Sequence, residues 1–295
     1  MSMSPDYQQI VELFGLVVPE IDVDLELEES EQQGRDGQES QQLGNQSLRE
    51  GEYQRAIKHY QRALHQSEGD PAEAHLGLAT AFEILEQSPA AVRQYARVLK
   101  LQQDNPDPYI GLSEIYKGYG HAKEAIQRLE EAVKVDPANP HTHFKLAETL
   151  RECGYPKKAL RAIQQAVLLA PDSGFFHYWM GDLQVQLKDY EAALISLRAA
   201  IELSPGDDFL YSKASVAFWG AGKPAEAIKA VRLASDLAPD STMYFGLMYA
   251  YQRALGNSAE TEEERKRAEK MDDYDRDRVN RFLAEAGIGE SNHLA

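Results

Sequence analysis

Lys123–Pro140 reads KEAIQRLEEAVKVDPANP. A small residue stands at Ala125, an apolar one at Leu129, a second small one at Ala132, and a proline at Pro137. The first three share one face of a helix. The proline ends that helix, because it removes a donor and clashes with the preceding turn. The same grammar returns along the chain. Ala56, Ala91, Ala125, Ala159, Ala193 and Ala227 open it, at steps of 35, 34, 34, 34 and 34 residues. Tyr60, Tyr95, Leu129, Ile163, Leu197 and Val231 follow four residues later, and Ala63, Val98, Ala132, Ala166, Ala200 and Ala234 three further on. Pro137, Pro171, Pro205 and Pro239 close the last four units. Self-similarity at a fixed period of this length marks a stack of identical helical units.

Each unit also carries an upstream pair: Leu43-Gly44, Leu78-Ala79, Leu112-Ser113, Leu146-Ala147, Met180-Gly181 and Ala214-Ser215. Two helices per unit therefore cross where side chains are small, and large apolar groups fill the space around the crossing. Asp70-Pro71-Ala72-Glu73 reads as an N-cap, a first-turn proline and an N3 acid. Asn105-Pro106 and Asn139-Pro140 repeat the device. Gly51, Gly120, Gly154 and Gly222 mark the turns inside units.

On this period and spacing, held over six units, the chain resembles the tetratricopeptide-repeat (TPR) family. The resemblance implies an all-α fold: a right-handed superhelical solenoid of antiparallel helix pairs. Units fall near 37–71, 72–105, 106–139, 140–173, 174–207 and 208–241. The first helix of a degenerate seventh follows at 242–257, where Thr261 and Arg265 then replace the expected alanine and apolar residue. Residues 258–295 read as charged capping helices and a tail, with Phe282, Leu283 and Ala286 placed to pack on the last unit. The family's first-helix tryptophan is replaced by Ser40, His75, Tyr109, His143, His177, Tyr211 and Phe245.

The net charge of −17 repels nucleic acid and anionic membrane surfaces on average. It is unevenly placed: residues 1–34 hold nine acids and no Lys or Arg, leaving −8 for the rest. Residues 1–36 form an acidic arm. Ser4-Pro5 with Tyr7, Ile10, Val11 and Phe14 reads as a short helix start. Ile21, Val23, Leu25 and Leu27 then alternate with acids. Two readings stay open for that alternation. It is an incidental pattern in a disordered tail, or a linear motif that orders on a partner or on another copy of the chain, by strand addition or in a groove. The arm and the terminal repeats are the surfaces through which copies would associate. No apolar run reaches spanning length, no secretory leader is legible, and the single Cys153 fits a reducing compartment. A cytoplasmic protein is expected.

No catalytic or metal-binding set is legible. Asp273, Asp275 and Asp277 begin like a calcium loop, but Arg278 and Ala284 stand where its glycine and its last acid belong. His141 and His143 lack further ligands at metal spacing, and Gly118-Tyr119-Gly120 follows no strand. No nucleophile set is brought together by the repeat register. No metal, cofactor or enzymatic activity is expected.

What remains is the surface of the first helices, which the resemblance implies is concave and binds protein or peptide segments. Carried over by register, it presents Phe144, Lys145, Glu148 and Arg151; then Phe175, Tyr178, Trp179 and Asp182; then Phe209, Lys213 and Trp219. Earlier units contribute Gln41, Asn45 and Arg49, then Leu76, Thr80 and Glu83, then Ile110, Glu114 and Lys117. Aromatics at these positions are either partner anchors or packing against neighbouring first helices. The carboxylate clamp of some TPR cochaperones is not reproduced: Gln41, Asn45, Gly77, Asp107 and Gly111 fall on its positions, and only Asn45 matches. The expected function is a non-enzymatic adaptor for a protein segment. An assembly factor that holds subunits transiently, or a structural subunit of a larger complex, is the alternative.

Overall fold

The computed structural model describes residues 37–66, 69–257 and 262–289. The arm, its alternating motif and Thr261 lie outside them. The described residues hold fifteen α-helices and no strand. They belong to two compact units, divided after Lys145.

In the first unit, α1 (Gly37–Arg49) pairs with α2 (Tyr53–His65), α3 (Pro71–Ile84) with α4 (Ser88–Leu101), and α5 (Asp107–Gly118) with α6 (Ala122–Val135). Among the first helices, α3 also touches α1 and α5, and the three form one face. The glycines at the crossings are seats for the large residue of the second helix. The Tyr60 ring lies between Gly44 and Gly77: a Cβ on Gly77 would stand 2.3 Å from it, and one on Gly44 2.7 Å. Tyr95 meets Gly111 in the same way. Both rings are buried, Tyr60 in one apolar core with Ala56 and Ala63 and Tyr95 in another with Ala91.

The caps work as their spacing predicts. The Asp70 carboxylate accepts from Ala72 N at 2.9 Å. Asn105 Oδ1 accepts from Asp107 N at 3.0 Å, and Asn139 Oδ1 from His141 N at 3.0 Å. Gly51, Gly120, Gly154 and Gly222 all take φ between 74° and 79°, in the left-handed region. Two units have no glycine at this turn, and Glu86 (φ 58°) and Lys188 (φ 61°) take the same conformation. The geometry of the turn thus belongs to the repeat, not to glycine.

α7 (Pro140–Glu152) carries the division between units. The second unit continues with α8 (Pro156–Leu169), α9 (Gly174–Gln186), α10 (Tyr190–Leu203), α11 (Asp208–Gly220), α12 (Pro224–Leu237) and α13 (Thr242–Ala254). Gly181 seats Leu197 here, with a Cβ-to-Cγ distance of 2.7 Å. A short α14 (Glu262–Ala268) packs on α13. Ala268 and, just past its end, Met271 supply the buried apolar groups here, in place of the missing alanine pattern. The last helix, α15 (Asp273–Glu285), packs mainly on α13 and then on α11. It lies across first helices. One apolar core joins α9 to α15, including Val185, Val231, Leu247, Tyr251, Val279 and Leu283.

Candidate functional site

The first-helix face of the first unit is polar. Asn45 on α1 accepts from the Tyr60 hydroxyl at 2.7 Å and donates to Glu73 at 2.9 Å. On α3, Glu83 accepts from the Tyr95 hydroxyl at 2.5 Å. Burial pushes the Glu83 carboxyl above its ordinary value, against the pull of that hydrogen bond. Burial and the Glu83 charge both raise the Tyr95 phenol. On α5, Glu114 meets Lys117 at 2.7 Å and Lys145 of α7 at 3.2 Å. Burial alone would raise Glu114; the two ammonium groups overcome it and hold the carboxyl below its ordinary value. Phe144 is buried, with His141 5.9 Å from it between ring centroids.

The corresponding face of the second unit is built from aromatics over a buried ionic relay. α9 displays Phe175, which is 52% exposed, in contact with Phe176 and Trp179 at centroid distances of 5.6 and 6.2 Å. The Arg151 guanidinium of α7 lies 4.1 Å over the Trp179 ring. Arg151 also reaches Asp182 Oδ2 at 3.3 Å, and Gln186 donates to the same oxygen at 3.0 Å. Asp182 Oδ1 pairs with Lys213 at 2.6 Å, and Lys213 pairs in turn with Glu285 at 2.7 Å. Lys213 and Asp182 are each within a few per cent of full burial. Glu148 is partly buried.

The terminal helix covers the rest. Phe282 of α15 is buried 6.0 Å from Phe209, with the Lys213 ammonium 4.9 Å from its ring. Arg278 also lies 5.2 Å over the Phe209 ring. Tyr178 packs on Phe209 at 5.7 Å, and burial raises its phenol, with the Asp182 and Glu285 charges adding to the shift. Thr242 of α13 donates to Asp275 at 3.0 Å, and the Tyr190 hydroxyl donates to the Glu285 carbonyl at 2.9 Å. Trp219 stacks on the buried Tyr251 at 4.5 Å.

Register therefore brings Arg151, Trp179, Asp182, Phe209 and Lys213 together in the second unit. Of the aromatics it points to there, Phe175 is open to solvent, while Phe209 and Trp219 pack within the chain. Val279, Glu285 and Tyr190 join the site from positions that the repeat register does not mark. The apolar stripe Val279, Phe282, Leu283, Ala286, at helical spacing inside a highly charged segment, is the signal that the sequence offers for the helix carrying Val279 and Glu285; Tyr190 has no such signal. Among the described residues, no group of three or more His, Cys, Asp or Glu could hold a metal ion. None of the described helices is long and apolar enough to cross a membrane.

These features define an all-α repeat protein whose surface chemistry consists of side chains displayed at a fixed period. Tetratricopeptide-repeat family models match residues 42–108, 117–180 and 176–207, together more than half of the sequence. The chain belongs to the tetratricopeptide-repeat family. Among solved structures it is similar to MamA 41-end from Desulfovibrio magneticus RS-1, at 21% identity and a TM-score of 0.50, covering 56% of this chain and 92% of that one. It is similar to YrrB, described as a TPR protein with an unusual peptide-binding site, at 22% identity and a TM-score of 0.53, covering 63% and 95%. It is also similar to a chain of the Cut9–Hcn1 hetero-tetramer of the APC/C, at 19% identity and a TM-score of 0.54, covering 73% and 43%. At these identities the likeness is one of fold. No curated protein matches the sequence.

Proposed function

We propose that this protein is a non-enzymatic adaptor that binds a segment of a partner protein on the first-helix face of its repeats. The carrying observation is Phe175. It is a large aromatic, half exposed, in ring contact with Phe176 and with Trp179, whose own ring carries the Arg151 guanidinium. Aromatic and arginine side chains held rigidly by neighbours, with a face left open, are the usual anchors of protein interfaces. Membership of a family that works through protein contacts supports the reading, as does the peptide-binding site described for YrrB. The segment it fits has an apolar or aromatic anchor for Phe175 and Trp179, flanked by mixed charge for Arg151 and Glu148. A cytoplasmic site of action belongs to the same reading, on the strength of the single cysteine.

Affinity capture with the full chain and with Phe175→Ala tests this. The expected result is a stoichiometric partner retained by the parent and lost from the variant at unchanged helicity. The same partner in the same amount on both would overturn it. A partner held in substoichiometric amounts, and only during assembly of a larger complex, would assign the assembly-factor role.

A further inference from the structure

The placement of α15 departs from the logic of the array. Each new first helix in the second unit packs on the second helix before it, as α11 packs on α10 and α13 on α12. α15 instead turns back, resting on α13 and reaching α11. Its N-terminal turn is tied to Thr242 at the start of α13. Its last turn meets Lys213 of α11 and, through the Glu285 carbonyl, Tyr190. It therefore crosses the first-helix face as a bound helix crosses a groove.

The face is prepared for a helix of one chemical kind. Arg151, Asp182 and Lys213 together carry one net positive charge, and Lys213 is almost fully buried. A buried ammonium whose partner carboxylate is already shared with Arg151 and Gln186 calls for a second carboxylate. Glu285 supplies it at 2.7 Å. Beside it, Phe209 offers a ring that Phe282 covers, and Val279 and Leu283 fill the apolar space along the same stripe. Yet α15 is a weak tenant by composition. Seven of its thirteen residues are charged, and only Val279, Phe282 and Leu283 are buried. Met271, Ala286 and Ile288 add apolar contacts only at its ends, and a charged helix with three buried side chains of its own belongs to the low-stability end of a fold, where local opening is easiest.

We infer that the first-helix face of α11 and α13 is a docking site for an amphipathic helix that sets an aromatic ring on Phe209 and a carboxylate on Lys213, and that α15 is its resident occupant, displaced by a partner helix of the same pattern. That pattern is the one α15 displays: apolar, two residues, aromatic, apolar, one residue, acid, as in Val279, Phe282, Leu283 and Glu285. The inference rests on the adaptor reading only in assigning the incoming helix to a partner. Occupation in cis sets a high threshold, because a tethered helix competes at an effective concentration in the millimolar range.

The probe is a fluorescent peptide of residues 271–289, titrated against the full chain and against the full chain carrying Phe282→Ala with Glu285→Gln. The weakened chain should bind it at least about tenfold more tightly than the parent, and a peptide with the same two substitutions should bind neither. Equal binding to both chains, or no binding to a weakened chain whose α9–α13 amides remain protected, overturns the inference. Should the weakened chain lose that protection, the parent alone decides. Millimolar unlabelled peptide should raise amide exchange in α15 about tenfold while α11 and α13 keep theirs, and unchanged exchange in α15 overturns the inference. Peptide exchange without any captured partner would retain this site and remove the adaptor reading. Partner capture that depends on Phe175, without peptide exchange, would do the reverse.

Discussion

The same ion pair is built twice in this protein. In the first unit Lys145 reaches Glu114, 31 residues earlier, at 3.2 Å; in the second Lys213 reaches Asp182, also 31 residues earlier, at 2.6 Å. Both lysines sit at the sixth position of their repeat and both acids at the ninth. Their surroundings differ. Lys145 and Glu114 are each about a quarter exposed, with Lys117 as a further neighbour of Glu114. Lys213 and Asp182 are buried, and Glu285 adds a second acid from a helix outside the repeat pattern. Register decides which side chains meet. An element that obeys no register decides whether their meeting place is solvent or protein interior, and hence what the pair is worth.

The largest expected effect breaks that comparison directly. Lys213→Ala takes the nearer cation from the buried Asp182, which keeps Arg151 at 3.3 Å, and removes the cation paired with the partly exposed Glu285; it should destabilise the second unit by about 3–5 kcal/mol. Lys145→Ala leaves Glu114 paired with Lys117 and should cost the first unit no more than about 1 kcal/mol. Amide exchange resolved to α5 and to α11 measures each unit separately, as a repeat array requires, since its parts need not unfold together. Equal losses at the two lysines would mean that burial under α15 does not set the value of the pair.

A smaller effect is expected at the crossings. Gly77→Ala drives a methyl to 2.3 Å from the Tyr60 ring, which is rigid and walled in. Overpacking of that kind costs about 1–3 kcal/mol. Gly181→Ala in the second unit meets Leu197 at 2.7 Å, an aliphatic side chain with rotamers to change, and should cost less. Thermal or denaturant midpoints of the two variants order them, and a larger loss at Gly181 would contradict the seat assigned to Tyr60.

The repeat itself was legible because its causes are local. Small residues recur where helices cross, prolines where they end, and capping side chains where they begin, so Ala125, Leu129, Ala132 and Pro137 announce their own geometry. Turn conformation was legible at Gly51 and Gly222 but not at Glu86 and Lys188, where the neighbouring helices impose a left-handed φ on a residue that does not favour it. The candidate site was legible only as a set of positions. Phe144 and Phe175 both fall on the first-helix face by register, and burial separates them: one is enclosed and the other stands half in solvent. Nothing in the period predicts where α15 goes. Its apolar stripe could be read from the charged tail, but its destination depends on a cation at position 213 and a ring at position 209, far away in sequence.

The strained turns give a paired test of gain. Glu86→Gly and Lys188→Gly each remove a side chain from a left-handed residue, which costs roughly 1–2 kcal/mol for a residue with Cβ. The greater freedom of glycine in the unfolded chain returns about 0.5–1 kcal/mol of that. A net gain of about 0.5–1 kcal/mol is expected in each unit, read from the amide exchange of the flanking helices. Both side chains are exposed, so removing them disturbs little packing and the backbone effect dominates. A gain in one unit and a loss in the other would show that the turn is not equivalent in the two.

The smallest effect concerns proton uptake in the first unit. His75 on α3 is partly buried, with Nδ1 2.8 Å from Gln94 Oε1 of α4. Burial pulls the ring below its ordinary value near 6.5, and the Arg97 charge adds to the pull; the Gln94 hydrogen bond opposes them without prevailing. A histidine held low in the folded state favours folding as the neutral ring. Its contribution is complete above about pH 6.5 and is lost as the pH falls through the lower folded value. The α3–α4 pair should therefore loosen on acidification from pH 7.5 to 5.5, in a step that His75→Gln removes. Amide exchange of α3 and α4 across that range, in parent and variant, reads it. An identical pH response in both chains would assign the acid sensitivity of the first unit to its carboxylates, with Glu114, held low by its lysines, losing its contribution only at lower pH.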